Sequence, residues 1–271
     1  MTPIESFTTT ELMVVAGSRE LRDGELAFVG LGIPQVAAAL AQRTHAPGLI
    51  VLNEIGVADA HPVAFGVGNA DPRHWYGASV MGTFNDVMGK LLHRGLVDVG
   101  FLGALEVDAH GNANATEVPR EGGGMRRFGG GGGANDIASL ARSTILIVRH
   151  EPRKLVERLT HLTNPGFLDG AGARGRVGLR GGGPRRVLTD KCVFGVDGAT
   201  GRLVVRSIHP GVTHAELREA TGFALDIPAD VAATEPPSAE DIRLIREVID
   251  PERRYTRALL EMIRTCVMTI L

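Results

Sequence analysis

Short apolar runs and helix-period segments alternate along almost the whole of this 271-residue chain, and that alternation restricts the fold more than any other feature. Thr8-Thr9-Thr10-Glu11 fits a capping box, and Leu12, Val15 and Ala16 follow at helical spacing, which predicts a helix stopping near Asp23-Gly24. Leu26-Ala27-Phe28-Val29-Gly30-Leu31 then reads as a buried strand, and Gly32-Ile33-Pro34 turns into a helix over 35–42. Leu49-Ile50-Val51-Leu52-Asn53 is the next buried strand, with Glu54 at its C-terminal end. The pattern continues as helix 84–93, strand 97–105, helix 137–141, strand 144–148 and helix 154–159. Residues 187–196 and 203–208 flank Asp197-Gly198-Ala199-Thr200-Gly201, which suggests a hairpin with a longer loop. Two amphipathic helices, 213–221 and 238–249, each open with a cap residue. Strand–helix–strand order of this kind predicts an α/β fold, a mostly parallel sheet covered by helices on both faces. The proline-containing stretch 228–237 is a connection rather than a boundary, so residues 1–271 are expected to form a single domain.

Charge and cysteine content narrow the partners. The formal net charge of -2 argues against a nucleic-acid or anionic-membrane surface. Cys192 and Cys266 are too few and too far apart for a disulfide framework or a Cys-x-x-Cys metal pattern, so a reducing cytoplasm is expected. Met-Thr-Pro-Ile-Glu-Ser-Phe carries no basic or apolar leader pattern, and no apolar run reaches the roughly 20 residues of a membrane span. Aromatic residues make up only 4%, which weakens any stacking surface for bases or sugars.

Three features could carry chemistry. Glu54 leaves a parallel strand at its carboxyl end, where α/β proteins bind ligands; the plainer reading is a carboxylate capping a turn or pairing with an arginine. Asp108-Ala109-His110-Gly111-Asn112-Ala113-Asn114-Ala115-Thr116 also follows a buried strand. It reads as a turn, or as a place where an asparagine amide donates to an oxygen gaining negative charge. Gly129 to Gly133 leads into Ala134-Asn135-Asp136-Ile137, and bare backbone N–H groups at such an entry can bind an anion. The other glycine clusters, Gly122 to Gly124 and Gly181 to Gly183, read as flexible loops. Gly30-Leu31-Gly32-Ile33-Pro34-Gln35 lacks the third glycine of a dinucleotide fingerprint, and there is no Walker A sequence or Gly-x-Ser-x-Gly elbow. The nine histidines show no zinc spacing, so no metal is expected. His61-Pro62 and His209-Pro210-Gly211 read as turns, with His61 also a candidate to line a pocket near Glu54.

In order and spacing, these pieces resemble the β (B) subunit of family I CoA-transferases of the glutaconate and 3-oxoadipate type. The resemblance runs from Thr10-Glu11-Leu12-Met13 to Ile249-Asp250-Pro251, through Val29-Gly30-Leu31-Gly32-Ile33-Pro34, Val99-Gly100-Phe101-Leu102-Gly103-Ala104 and His209-Pro210-Gly211-Val212-Thr213. It implies a three-layer α/β/α fold of the CoA-transferase and sugar-isomerase type. It also implies an α (A) subunit that completes the site, and coenzyme A as substrate with no resident cofactor. The family's nucleophilic glutamate maps onto Glu54 of Glu54-Ile55-Gly56. Its Gly-Asn-x-Asn element maps onto Gly111 to Asn114, and its glycine-rich loop onto Gly131, Gly132 and Gly133. The resemblance makes Asn114 a catalytic residue beside Glu54, holding the oxyanion, and assigns Asn112 and those glycines to oxyanion and CoA binding. Its reaction is transfer of CoA from an acyl-CoA, of a dicarboxylic or 3-oxo acid, to a free acid through a glutamyl–CoA thioester. Ile55 stands where the family has serine, and Pro119-Arg120-Glu121-Gly122-Gly123-Gly124 replaces its Gly-Asp-Tyr-His-His-Pro. Two other uses of the scaffold stay open: hydrolysis of a CoA thioester or CoA-linked ring, and a non-catalytic subunit or binding module.

Overall fold

The computed structural model describes residues 7–62, 64–66, 68 and 70–256. Cys266 and the leading residues 1–6, on which two of the expectations above rest, lie outside them. Helix α1 (Thr9–Ser18) is capped reciprocally: the Glu11 N–H donates to Thr8 Oγ1 at 3.2 Å, and the Thr8 N–H to Glu11 Oε2 at 2.7 Å. It ends earlier than the sequence predicts, and irregular chain leads into β1 (Leu26–Val29), then α2 (Ile33–Arg43) and β2 (Ile50–Asn53). Two short strands follow, β3 (Val57–Ala58) and β4 (Val80–Met81), then a helix wound with i→i+5 bonds over Asn85–Leu92 and strand β5 (Val99–Gly103). Two small hairpins come next, β6 (Glu106–Val107) with β7 (Ala113–Asn114) and β8 (Glu117–Pro119) with β9 (Met125–Arg127). The chain continues through α3 (Ala134–Leu140), β10 (Ser143–Ile147), α4 (Ala173–Arg176), β11 (Pro184–Leu188), β12 (Cys192–Asp197) and β13 (Arg202–Ile208). It closes with α5 (His214–Glu219), β14 (Ala232–Ala233) and α6 (Ala239–Arg243), which runs into a second wide helix over Leu244–Ile249.

Ten strands make one mixed, mostly parallel sheet, in the order β14-β13-β12-β11-β10-β5-β1-β2-β3-β4. The centre, β2-β1-β5-β10-β11, is parallel, and antiparallel pairs extend it on both sides. Alternate residues of the central strands serve two separate cores. Ala27, Phe101 and Ile145 pack against α1 and α2 on one face. Phe28, Leu102 and Leu146 pack with Val87 and Met88 of the wide helix and Ile137 of α3 on the other. Both faces of the central strands are therefore apolar, as a sheet sandwiched between helix layers requires. Burying rings such as Phe28, Phe101 and Phe194, all at most 2% exposed, stabilises by about 1.5–3 kcal/mol each.

Three expectations are corrected. Residues 154–159 form no helix: the Val107 N–H donates to Lys154 O, the Val156 N–H to Val107 O, and Leu155 bridges Val107. Edge pairing with β6 satisfies that backbone, so its local helical spacing is overridden. Residues 187–196 are not one strand, because the Thr189 hydroxyl accepts the N–H groups of Lys191 and Cys192 and turns β11 into antiparallel β12. Gly181 to Gly183 is not slack: a Cβ on Gly181 would lie 2.4 Å from Ala141 O, and one on Gly182 2.2 Å from Arg142 O. Among the described residues, no helix is long and apolar enough to cross a membrane.

Candidate active site

Strand β2 ends at Asn53, and the chain reverses at once into β3. The Gly56 N–H donates to Asn53 O at 3.0 Å, the Ile55 N–H donates to Asn53 Oδ1 at 3.2 Å, and Asn53 pairs with Val57 across the hairpin. Glu54 is thus the first residue of a three-residue connection anchored in the sheet on both sides. Gly56 makes the reversal possible. It sits at φ +107°, and a Cβ there would lie 2.5 Å from the carbonyl carbon of Thr83.

Glu54 faces a cavity of about 250 Å³ at the carboxyl edge of the sheet. Phe28, Leu31, Leu52, Leu102 and Ile137 give it apolar walls, and Glu54 is the one ionisable residue among the described residues lining it. Burial raises the Glu54 carboxyl above the usual carboxylate range, while hydrogen bonding from the Gly133 backbone N–H pulls the other way. A half-buried carboxylate kept ionisable by a backbone donor is suited to attack an electrophilic carbon.

The glycine bend is where the sequence places it. Gly130 lines the cavity, and Gly131 and Gly132 carry the chain into the first turn of α3. There the Ala134 N–H bonds Gly131 O at 2.8 Å and the Ile137 N–H bonds Gly133 O at 3.0 Å. At Gly133 a side chain would crowd the carboxyl, since a Cβ would lie 3.1 Å from Glu54 Cδ and 2.9 Å from Met88 Cε, and either neighbour would have to shift.

The two asparagines are not available as donors to a reacting oxygen. Asn114 is fully buried, and its amide nitrogen donates to Glu106 Oε2 and to Glu117 O, both at 2.7 Å. Its Oδ1 accepts the N–H groups of Thr116 and Glu117. Asn112 spends its amide on Asp108 Oδ2 and Leu168 O, and its oxygen accepts from Gly166 and Leu168. Both side chains therefore act as internal struts, because the buried groups around them leave no hydrogen over. Ala115, between Asn114 and Thr116, is the residue of this segment that reaches the cavity. His61 does not line it; its exposed ring lies 3.4 Å from Asp59.

Thr163 was not singled out by the sequence, yet it ties these pieces together. Its hydroxyl accepts the Ala115 N–H at 2.9 Å and bonds the Thr116 hydroxyl at 2.8 Å, while its carbonyl accepts the Asn135 amide at 2.5 Å. It stands in an aperiodic stretch, so no local pattern marks it.

The sequence pattern of the coenzyme A transferase family matches residues 10–220. The B subunit of 3-oxoadipate CoA-transferase from Pseudomonas knackmussii is 32% identical over 90% of this chain and 94% of its own length. The B subunit of glutaconate CoA-transferase from Acidaminococcus fermentans is 32% identical over 94% and 97%. The crystal structure of the Acidaminococcus enzyme superposes with a TM-score of 0.86 at 31% identity, covering 93% of this chain and 98% of the other. Since a family pattern spans most of the sequence and the same fold recurs over nearly its whole length, the chain belongs to the coenzyme A transferase family.

Proposed function

We propose that this chain is the nucleophile-bearing subunit of a CoA-transferase, with Glu54 forming the covalent bond. The observation that carries the reading is the Glu54 carboxyl itself: desolvated, at the sheet's carboxyl edge, beside the Gly131–Gly133 bend. The carboxylate attacks the thioester carbonyl of an acyl-CoA, and backbone N–H groups of the bend hold the oxyanion in place of the asparagine amides. CoA thiolate leaves, giving an acyl-glutamyl anhydride. The thiolate then attacks the glutamyl carbonyl, releasing the free acid and leaving a Glu54–CoA thioester. A second carboxylic acid reverses these steps and departs as its CoA ester. Apolar walls suit this sequence because both acyl intermediates are lost if water enters. Coenzyme A is substrate rather than resident cofactor.

The names of the relatives, 3-oxoadipate and glutaconate, point to dicarboxylic acyl groups, and their designation as B subunits points to an α (A) subunit as partner. A surface for that partner stands close to Glu54. Tyr76, Val80, Met81 and Phe84 are exposed in succession on and around β4, which joins the Glu54 hairpin through β3. The test is to incubate the assembled complex with acyl-CoA and treat it with borohydride or hydroxylamine. The expected product is a modification on the Glu54 peptide, absent from Glu54→Gln, whose transfer activity is lost. Full transfer by Glu54→Gln sinks the nucleophile assignment, and release of free CoA and acid without an acceptor makes the protein a thioester hydrolase instead.

A further inference from the structure

Arg174 is a buried cation that the reaction above does not use. It is 6% exposed, and each of its hydrogen bonds goes to a backbone carbonyl. Nε donates to Gly181 O at 2.7 Å, Nη1 to Pro165 O at 2.9 Å and Gly166 O at 2.8 Å, and Nη2 to Ala138 O at 2.9 Å and Ser139 O at 3.3 Å. Three segments far apart in sequence therefore meet on one planar group. Among the described residues no carboxylate forms an ion pair with it, and burial lowers its pKa. Stability alone is a poor reason for such an arrangement, because a buried charge loses hydration that a well-packed apolar side chain never had. The guanidinium gives geometry instead, five donors in a fixed fork that a lysine cannot reproduce.

The geometry concerns α3. Ala138 and Ser139 lie in its last turn, and Gly133 stands just before its first. The helix is only seven residues, roughly 10 Å, so a tilt at one end displaces the other by a similar distance. The same fork also holds the 165–166 segment. Gly166, whose carbonyl Arg174 holds, donates its N–H to Asn112 Oδ1 at 2.8 Å, and a Cβ on Gly166 would lie 2.3 Å from Gly111 C. Gly181 closes the third side, with its N–H on Ser139 O at 2.9 Å.

We propose that Arg174 is a positioning residue, whose guanidinium locks the C-terminal end of α3 to the 165–166 and 181 segments and so keeps the Gly133 N–H on the Glu54 carboxyl. The proposal rests on the reading of Glu54 as nucleophile. Loosening the lock removes a hydrogen bond that favours the ionised carboxyl, and displaces the oxyanion donors from the reacting carbon.

Arg174→Met and Arg174→Lys, each assembled with the partner subunit, test it. The pH dependence of kcat/KM, the KM for acyl-CoA and the melting temperature are measured for both. Arg174→Met is expected to lower kcat by about tenfold to a hundredfold, with KM changed less than about threefold. Its acid limb moves to higher pH, by about one unit. Arg174→Lys, which keeps the charge without the fork, falls between, and it carries the test alone should the methionine variant not fold. Arg185→Met, which breaks the Arg185–Glu25 ion pair, serves as a matched loss of stability and leaves the limb in place. An Arg174 variant with a lower melting temperature but native kcat per folded site and an unmoved limb overturns the proposal. Active Glu54→Gln overturns the underlying reading instead, so the two failures are told apart.

Discussion

The Glu54 carboxyl is half-buried, and this bears on both its ionisation and the stability of the chain. Because burial raises its pKa, the role proposed for Glu54 carries the expectation that the acid limb of kcat/KM lies above the usual carboxylate range, with activity falling as pH drops and this carboxyl is protonated. The linkage has the same origin. A folded-state pKa above the unfolded one means that ionised Glu54 opposes folding at neutral pH and ceases to do so as the pH falls through the raised value. Glu54→Gln should therefore melt at or above the native temperature at pH 8, with any gain shrinking in acid; a clear loss at pH 8 would contradict this. Asn114 responds in the opposite way. Asn114→Ala leaves Glu106 with the Thr160 N–H and hydroxyl as its donors among the described residues, which should cost about 2–4 kcal/mol in urea unfolding. Its activity loss should track the unfolded fraction rather than the chemical step. The place of Glu54 just past β2 was legible in the sequence because a strand end can be read locally. The asparagines were not, because the destination of an amide hydrogen is set by Glu106, Glu117 and Leu168, which no local pattern reveals.

The hairpin between β2 and β3 is the element that holds Glu54 at the cavity. Gly56→Ala would combine a left-handed backbone position with a methyl group driven into Thr83, at a cost of about 2–4 kcal/mol. The variant should unfold at lower urea and, where folded, transfer CoA more slowly because Glu54 has moved; unchanged values for both would mean the turn is slack. Apolar runs gave away β1, β2, β5 and β10 because a strand buried on both faces needs such residues throughout. The same rule says nothing about residues 154–156, where pairing with β6 decides the outcome, or about β3 and β4, whose two residues each carry no periodicity. In the polar stretch 228–237, Ala232–Ala233 joins the sheet only because Ser207 and Ile208 of β13 supply a parallel partner.

Across the molecule, the half of the sheet away from Glu54 encloses a polar cluster. His150 is 2% exposed, with Nδ1 3.0 Å from Thr189 Oγ1 and Nε2 2.9 Å from Thr221 Oγ1. His209 is held by Thr234 and the Thr189 carbonyl. Burial pushes His150 down to about 4 from an ordinary 6.5, and lowers His209 as well. The depressed folded pKa means that the stability of the neutral ring is fully present above about pH 6.5 and is lost as the pH falls toward 4. That loss is about 3 kcal/mol for His150, and urea unfolding across this range checks it, with His150→Gln expected to flatten the slope. The α/β layering was foreseeable from alternation; this cluster was not, since His150, Thr189, His209 and Thr221 meet only after the sheet has formed. At the opposite margin, β4 ends the sheet among the described residues, with Val80 and Met81 exposed on both of its faces and one backbone row left unpaired by them. An unpaired row invites strand addition, but two residues give a passing chain little to hold. Brevity at that end therefore does for this sheet what a covering helix does for others, limiting how far a second copy could lengthen the ladder.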